Sequence, residues 1–191
     1  SDFSSWGPTP DLKIKPEITA HGGYILSSVP GQSYDRISGT SMACPNVAGA
    51  TALLRQYVTD KFPGLTNVEI AKVANSLFMS TADIILNKNG LPYAVRKQGA
   101  GLASLDKAAA TQAYLVTYDQ SGNAMDKTKI ELGADTNKTG VYELKFSIVN
   151  FGNQTLSYDI STYVLTEGVS DTKTNNGETT VTEQAYSLDG A

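Results

Sequence analysis

Near residue 115 the sequence changes its period, and this constrains the fold more than any single residue does. Before that point, apolar residues recur at helical spacing between loops marked by glycine and proline. After it, helical spacing disappears and apolar and polar residues alternate. A 3.6-residue period buries one stripe of a helix, and a two-residue period buries one face of a strand. Two units are therefore expected, 1–115 built from strands and helices and 116–191 built from strands.

In the first unit, "IKPEITA" and "GYILSSV" read as short buried strands, punctuated by Pro16 and Gly22-Gly23. A helix begins near Ser41, with Val47, Ala48, Ala50, Thr51, Leu54, Tyr57 and Val58 close to one face. Pro45 is placed in its first turn, where a missing N–H costs little, and Pro63-Gly64 ends it. A second helix starts at Thr66, with Glu69 completing a capping box. "NKNGLPY" reads as a turn, and "SLDKAAAT" as a short helix capped by Ser104.

In the second unit, Tyr142, Leu144, Phe146 and Ile148 share one face, opposite Glu143, Lys145 and Ser147. "TKIEL", "TLSYDISTYVL" and "TTVTEQAYSL" read as further strands. The polar run "TEGVSDTKTNNGETT", residues 166–180, is expected to be a long exposed loop. Short strands separated by turns point to an antiparallel sandwich, truncated at Ala191 because only about five strands are present.

Several classes are excluded or disfavoured. The net charge is -4 and no Lys/Arg cluster offsets it, which argues against nucleic acid or an anionic membrane as partner. No apolar run is long enough to span a bilayer. The single cysteine, Cys44, cannot form an intrachain disulfide, and it reads as a small helix residue facing the core. "SDFSSWGPTP" has neither the charged nor the apolar region of a signal peptide, and its ragged start suggests a piece of a longer protein. No Cys/His cluster, P-loop or dinucleotide fingerprint occurs, so no metal ligand and no cofactor is identified. "DTNKTG", residues 135–140, opens like a calcium loop, but Phe146 stands where the twelfth, acidic ligand is needed. A turn is the better reading there. Asn137 and Asn153 lie in N-x-T sequons and read as turn residues.

Chemistry concentrates at "RISGTSMACPNVAGATALL", residues 36–54. A glycine before a serine lets the backbone turn sharply. A serine at a helix N-terminus feels the positive end of the macrodipole, and its N–H is an orphan donor able to hold an oxyanion. These features suit an acyl-transfer nucleophile. They equally suit a serine that merely caps the helix.

The longer string resembles the nucleophile motif of the subtilases, the subtilisin-like serine peptidases, G-T-S-M-A-x-P-x-V-A-G. Gly39, Thr40, Ser41, Met42, Ala43, Pro45, Val47, Ala48 and Gly49 match it. "FSSWGPTPDLKIKPEITA" and "RKQGAGLASLDKAAA" resemble flanking segments of the same family. The alternating half is similar, more loosely, to the fibronectin-III-like domain of the cell-envelope subgroup that includes lactocepin and C5a peptidase. The resemblance implies the C-terminal part of a subtilisin-like α/β parallel-sheet domain, followed by a partial fibronectin-III-like β-sandwich.

It also implies that Ser41 is the nucleophile of a serine endopeptidase acting on polypeptides, with its backbone N–H as one oxyanion donor. Thr40 supports that hole, and Gly39 and Met42 flank the nucleophile, Met42 being open to oxidation. The family's aspartate, histidine and oxyanion-asparagine motifs have no counterpart here, so they would come from a missing N-terminal part of the same domain. The isolated chain is then expected to be inactive, and the parent to be secreted or bound to a bacterial cell wall. Calcium in the parent stays possible and is not readable here. His21 stands where the family has a proline, and reads as a surface or packing residue rather than the base. Asn46 stands where many members have histidine, and reads as a helix-surface residue or one that supports the site from behind. The alternative reading is a catalytically dead subtilase used for binding or adhesion.

Overall fold

The computed structural model describes residues 1, 3–175 and 178–187, with side chains described as far as residue 165. The elements run β1 (Ile25–Val29), β2 (Ser33–Ile37), α1 (Thr40–Lys61), α2 (Asn67–Ser80), α3 (Val95–Gln98), α4 (Leu105–Ala110), β3 (Ala113–Thr117), β4 (Phe146–Asn150), β5 (Leu165–Asn175) and β6 (Glu178–Ser187).

The core forms where three helices meet. Leu54 and Val58 of α1 pack with Ile70, Ala74, Leu77 and Phe78 of α2 and Ala108 of α4. Leu54, Val58 and Leu77 are wholly removed from solvent, each burial contributing about 2 kcal/mol. The apolar spacing that announced both helices supplies these contacts. Local chemistry sets the helix ends. Thr66 accepts from the Glu69 N–H at 3.3 Å while the Glu69 carboxylate accepts from the Thr66 N–H at 2.8 Å, forming the expected capping box. The Thr66 N–H, joined by the Thr66 hydroxyl donating at 2.7 Å, holds the Glu69 carboxyl below its ordinary pKa. Ser104 caps α4 as anticipated, accepting from the Lys107 N–H.

The second half reaches back onto this core. Phe151 meets Phe62 edge-on at 5.1 Å and lies 6.0 Å from Tyr114. β3 pairs antiparallel with β4, from Ala113–Asn150 to Thr117–Phe146. The expected boundary at 115/116 thus falls inside β3, and a sheet joins residues from both sides of it. An ionic cluster makes a second connection. Glu17 is paired with Lys127 at 2.8 Å and with Lys15 at 2.5 Å, and the Ile14 N–H donates to both Glu131 oxygens at 3.2 Å. Partial burial of Glu17 opposes its ionisation, but the hydrogen bonds from Lys127 and Lys15 outweigh it and lower its pKa to about 2.

"RKQGAG" ties this region together. Gln98 is buried. It accepts from the Ile85 N–H at 2.7 Å and donates to the Ile85 and Tyr93 carbonyls. Gly99 sits at φ 62°, and a Cβ there would lie 2.3 Å from the Glu17 carbonyl, so only glycine fits. Residues 100–103 then lie between two partners: Thr19 bonds to Gly101 and Ala103, and Leu102 exchanges both hydrogen bonds with Asp83.

The structure corrects several expectations. Every named strand pair is antiparallel, and among the described residues parallel pairing is confined to the Thr19–Leu102 bridge. "IKPEITA" is irregular, with a bend at Glu17 and one bridge at Thr19, and is not a regular strand. "GYILSSV" does contain β1, but Leu26, Ser27 and Ser28 are exposed: among the described residues β1 pairs only with β2 and no layer covers the hairpin. "TKIEL" forms no strand, and "TLSYDISTYVL" contributes only Leu165 to one. In the polar run 166–180, residues 176–177 lie outside the described residues, and the rest is not a loop. Its backbone forms β5 and the start of β6, paired from Leu165–Ser187 to Asn175–Glu178. The described strands form three separate two-stranded sheets, so no sandwich is seen; its expected end at Ala191 lies outside the described residues.

Candidate functional site

The site is assembled where β2 leaves its hairpin and α1 begins. α1 is 22 residues long and its N-cap is Gly39, not Ser41. Ser41 is the second residue of the helix and makes no capping hydrogen bond, which removes the capping explanation for this serine. Its side chain is exposed. The N–H groups of Met42 and Ala43 reach the Gly39 carbonyl at 3.1 and 3.4 Å. Those of Thr40 and Ser41 precede any carbonyl the helix can offer, so they are its orphan donors. A hydroxyl and two unsatisfied N–H groups therefore share the positive end of a long helix.

Pro45 is the sixth residue of α1, in the second turn rather than the first. Its missing N–H would have bonded the Ser41 carbonyl four residues earlier, so that carbonyl too lacks its helical partner. Met42 is half-buried beside the serine, Thr40 is exposed, and Asn46 is exposed on the helix surface as expected. Cys44 is also exposed, not turned into a core. The apolar face of α1 finds partners only further along, from Ala50 through Leu54 to Tyr57 and Val58. Residues 40–49 include none that is fully buried.

His21 is exposed, and among the described residues no hydrogen bond joins it to Ser41. The next residue matters more. The Gly22 carbonyl accepts the Gly39 N–H at 2.7 Å, and a Cβ on Gly22 would lie 2.5 Å from the Gly39 carbonyl. Glycine at 22 is what allows the backbone entering α1 to come this close. The sequence showed Gly22-Gly23 only as punctuation; pairing with Gly39 needed the fold. Beside it runs a groove of about 650 Å³, lined by Ile18, Ala20, Tyr24, Cys44, Val47 and Ala48 among others. Thr40 lines it and Ser41 does not.

Elsewhere, Asp135 accepts from the Gly140 N–H at 2.7 Å in the segment that opened like a calcium loop. The hydrogen bonds from Gly140 and Thr139 hold its carboxyl below the ordinary range. The carboxylate closes its own turn. Among the described residues no group of three or more His, Cys, Asp or Glu could hold a metal ion, and no helix is long and apolar enough to cross a membrane.

Comparison with known proteins decides the family. The profile of the subtilase family, Peptidase S8, matches residues 1–101, which include the whole serine-bearing motif. The chain belongs to the subtilase family. It is 39% identical over 137 residues to the C5a peptidase of Streptococcus pyogenes serotype M6, covering 71% of this chain and 11% of that protein. It is 31% identical over 188 residues to the PI-type proteinase of Lactococcus lactis subsp. cremoris, covering 93% of this chain and 10% of that protein. The chain thus spans about a tenth of the length of these relatives, and the second of them extends the likeness well past the family's own segment. Both bear out the cell-envelope subgroup resemblance.

Proposed function

We propose that this chain is part of a bacterial serine endopeptidase that cleaves polypeptides through an acyl-enzyme on Ser41. The observation that carries the reading is the placement of Ser41: exposed, second in a 22-residue helix, and free of any capping duty. Membership of the subtilase family supports it. In this reading the Ser41 hydroxyl attacks the peptide carbonyl, and the developing oxyanion is held by the Ser41 N–H, with Thr40 in support. Gly39 and Met42 flank the reacting serine.

The base must stand within hydrogen-bond reach of the nucleophile. His21 is the one histidine of this chain, and it makes no such contact. The proton acceptor and its carboxylate partner are assigned to the rest of the same catalytic domain, together with a side-chain oxyanion donor. On its own, the 191-residue chain is accordingly inactive. Residues 116–191 are assigned to the opening of a fibronectin-III-like domain, with the support that the Lactococcus proteinase matches 93% of the chain. A secreted or cell-wall location goes with this assignment.

A fluorophosphonate, which phosphonylates activated serines, tests the reading. The full-length protein should be labelled at Ser41, and Ser41→Ala should abolish both labelling and peptide cleavage. Retained cleavage in that variant would sink the assignment.

A further inference from the structure

The hairpin β1–β2 and the serine helix are joined through an irregularity in strand pairing. From Ile25–Ile37 to Val29–Ser33 the register is uninterrupted. One step nearer the serine, Tyr24 should face Ser38. Instead the next main-chain bond runs from the Gly39 N–H to the Gly22 carbonyl. Two residues, Gly23 and Tyr24, therefore oppose the single residue Ser38. This is the two-against-one count of a β-bulge, a device that bends a strand and re-aims the residues beyond the bend.

The bulge holds a strained residue. Tyr24 sits at φ 52°, in the left-handed region that residues with a Cβ seldom occupy. Such a conformation persists only where neighbours over-determine it. Here one side chain of β2 and that of the residue just past its end do so. The Ser38 Oγ accepts the Tyr24 N–H at 2.9 Å, and the Arg36 guanidinium donates to the Tyr24 carbonyl at 3.2 Å. Both polar groups of one displaced residue are thereby satisfied by side chains in place of the missing ladder bonds.

We propose that Ser38 is a positioning residue for Ser41: by locking the Gly23–Tyr24 bulge, with help from Arg36, it sets the angle at which the chain leaves β2 and hence where the Ser41 hydroxyl points. This inference rests on Ser41 being the nucleophile. The lever is short, because only Gly39 and Thr40 separate Ser38 from Ser41. It acts beside the Gly39–Gly22 hydrogen bond, at an end of α1 where residues 40–49 have no fully buried anchor.

The test uses the full-length protein and a fluorophosphonate, measuring labelling rate against probe concentration. Ser38→Ala should lower the saturating rate about tenfold, the order expected when a reacting atom is slightly misplaced, with the half-saturating concentration unchanged. Ser38→Thr, which restores a hydroxyl, should recover most of the rate. A Ser38→Ala protein that labels at the parental rate, or a Ser38→Thr protein as slow as Ser38→Ala, overturns the proposal. Should Ser38→Ala not fold, Arg36→Ala is read in the same way: a slower saturating rate supports the bulge as the lever, and a parental rate overturns it. Ser41→Ala is run alongside. Its labelling at the parental rate would sink the nucleophile assignment itself, whereas an unlabelled Ser41→Ala with a normal Ser38→Ala sinks only the lever.

Discussion

The two ends of α1 are held in place by different physics. Its C-terminal half seats Leu54 and Val58, both wholly buried, against α2 and α4, and Phe62 beyond it meets Phe151. Its N-terminal half buries no residue fully and is held by a backbone hydrogen bond from Gly39 to Gly22 and by a side-chain-locked bulge. Apolar packing is strong and non-directional, whereas hydrogen bonds are individually modest and set direction. One end therefore stabilises the helix, and the other exposes a hydroxyl with orphan N–H groups around it.

The sharpest break of that comparison is Ser41→Ala. Removing the nucleophile of an enzyme of this kind costs on the order of 10⁶ in turnover, so peptide cleavage by the full-length protein should vanish. The unfolding midpoint of the 191-residue chain in denaturant should barely move, because an exposed serine without a capping bond contributes under about 0.5 kcal/mol. A large fall in midpoint would mean that the serine end is also structural.

Next in size is a pair at opposite ends of the helix. Leu54→Ala should destabilise the chain by about 3 kcal/mol through lost burial and a residual cavity. Val47→Ala, half-buried at the serine end, should cost under about 1 kcal/mol. Equal losses in urea titrations would show that the two ends are anchored alike.

Thr66→Ala tests the local signals of the packed region. It removes the hydroxyl that accepts the Glu69 N–H and leaves the bond from the residue-66 N–H to the Glu69 carboxylate in place, and should cost about 1 kcal/mol, read as a lower urea midpoint with unchanged slope. No change would mean that packing alone sets the start of α2.

The smallest effect concerns the ionic connection between the halves. Glu17 is held at a pKa of about 2, against 4.5 for a free glutamate. A carboxyl lowered in the folded state lends stability above the unfolded value and loses it as pH falls through the folded one. Stability should thus decline between about pH 4.5 and 2, and Glu17→Gln should flatten that part of the acid limb. With solvent screening the contribution is of order 1 kcal/mol or less. An acid limb identical in parent and variant would dissociate Glu17 from the link.

Legibility in the sequence divides along the same line. The Thr66–Glu69 box and the Ser104 cap are legible because donor and acceptor lie three residues apart, so sequence spacing is spatial spacing. The apolar stripe of α1 is legible as periodicity, yet Cys44, expected to face the core, is exposed. Periodicity says which residues share a face, not whether anything covers that face. Pro45 falls two residues further into the helix than expected because the N-cap is Gly39 and not Ser41. The polar composition of residues 166–180 suggests a loop where the described backbone, 166–175 and 178–180, forms strands. The better signal is the dipeptide Asn176-Gly177 between threonine-rich runs, a hairpin pattern that owes nothing to hydrophobicity.

Sequence alone determined the family, through a contiguous motif from Gly39 to Gly49, and the start of α2 and α4, through contacts only a turn apart. Tertiary structure alone decided that β3 bridges the two halves and that Glu17 reaches across to Lys127. It alone decided that Gly22 and Tyr24 shape the approach to Ser41. Those pairings join residues remote in the chain, and no local preference encodes which distant partner will be opposite once the chain has closed on its core.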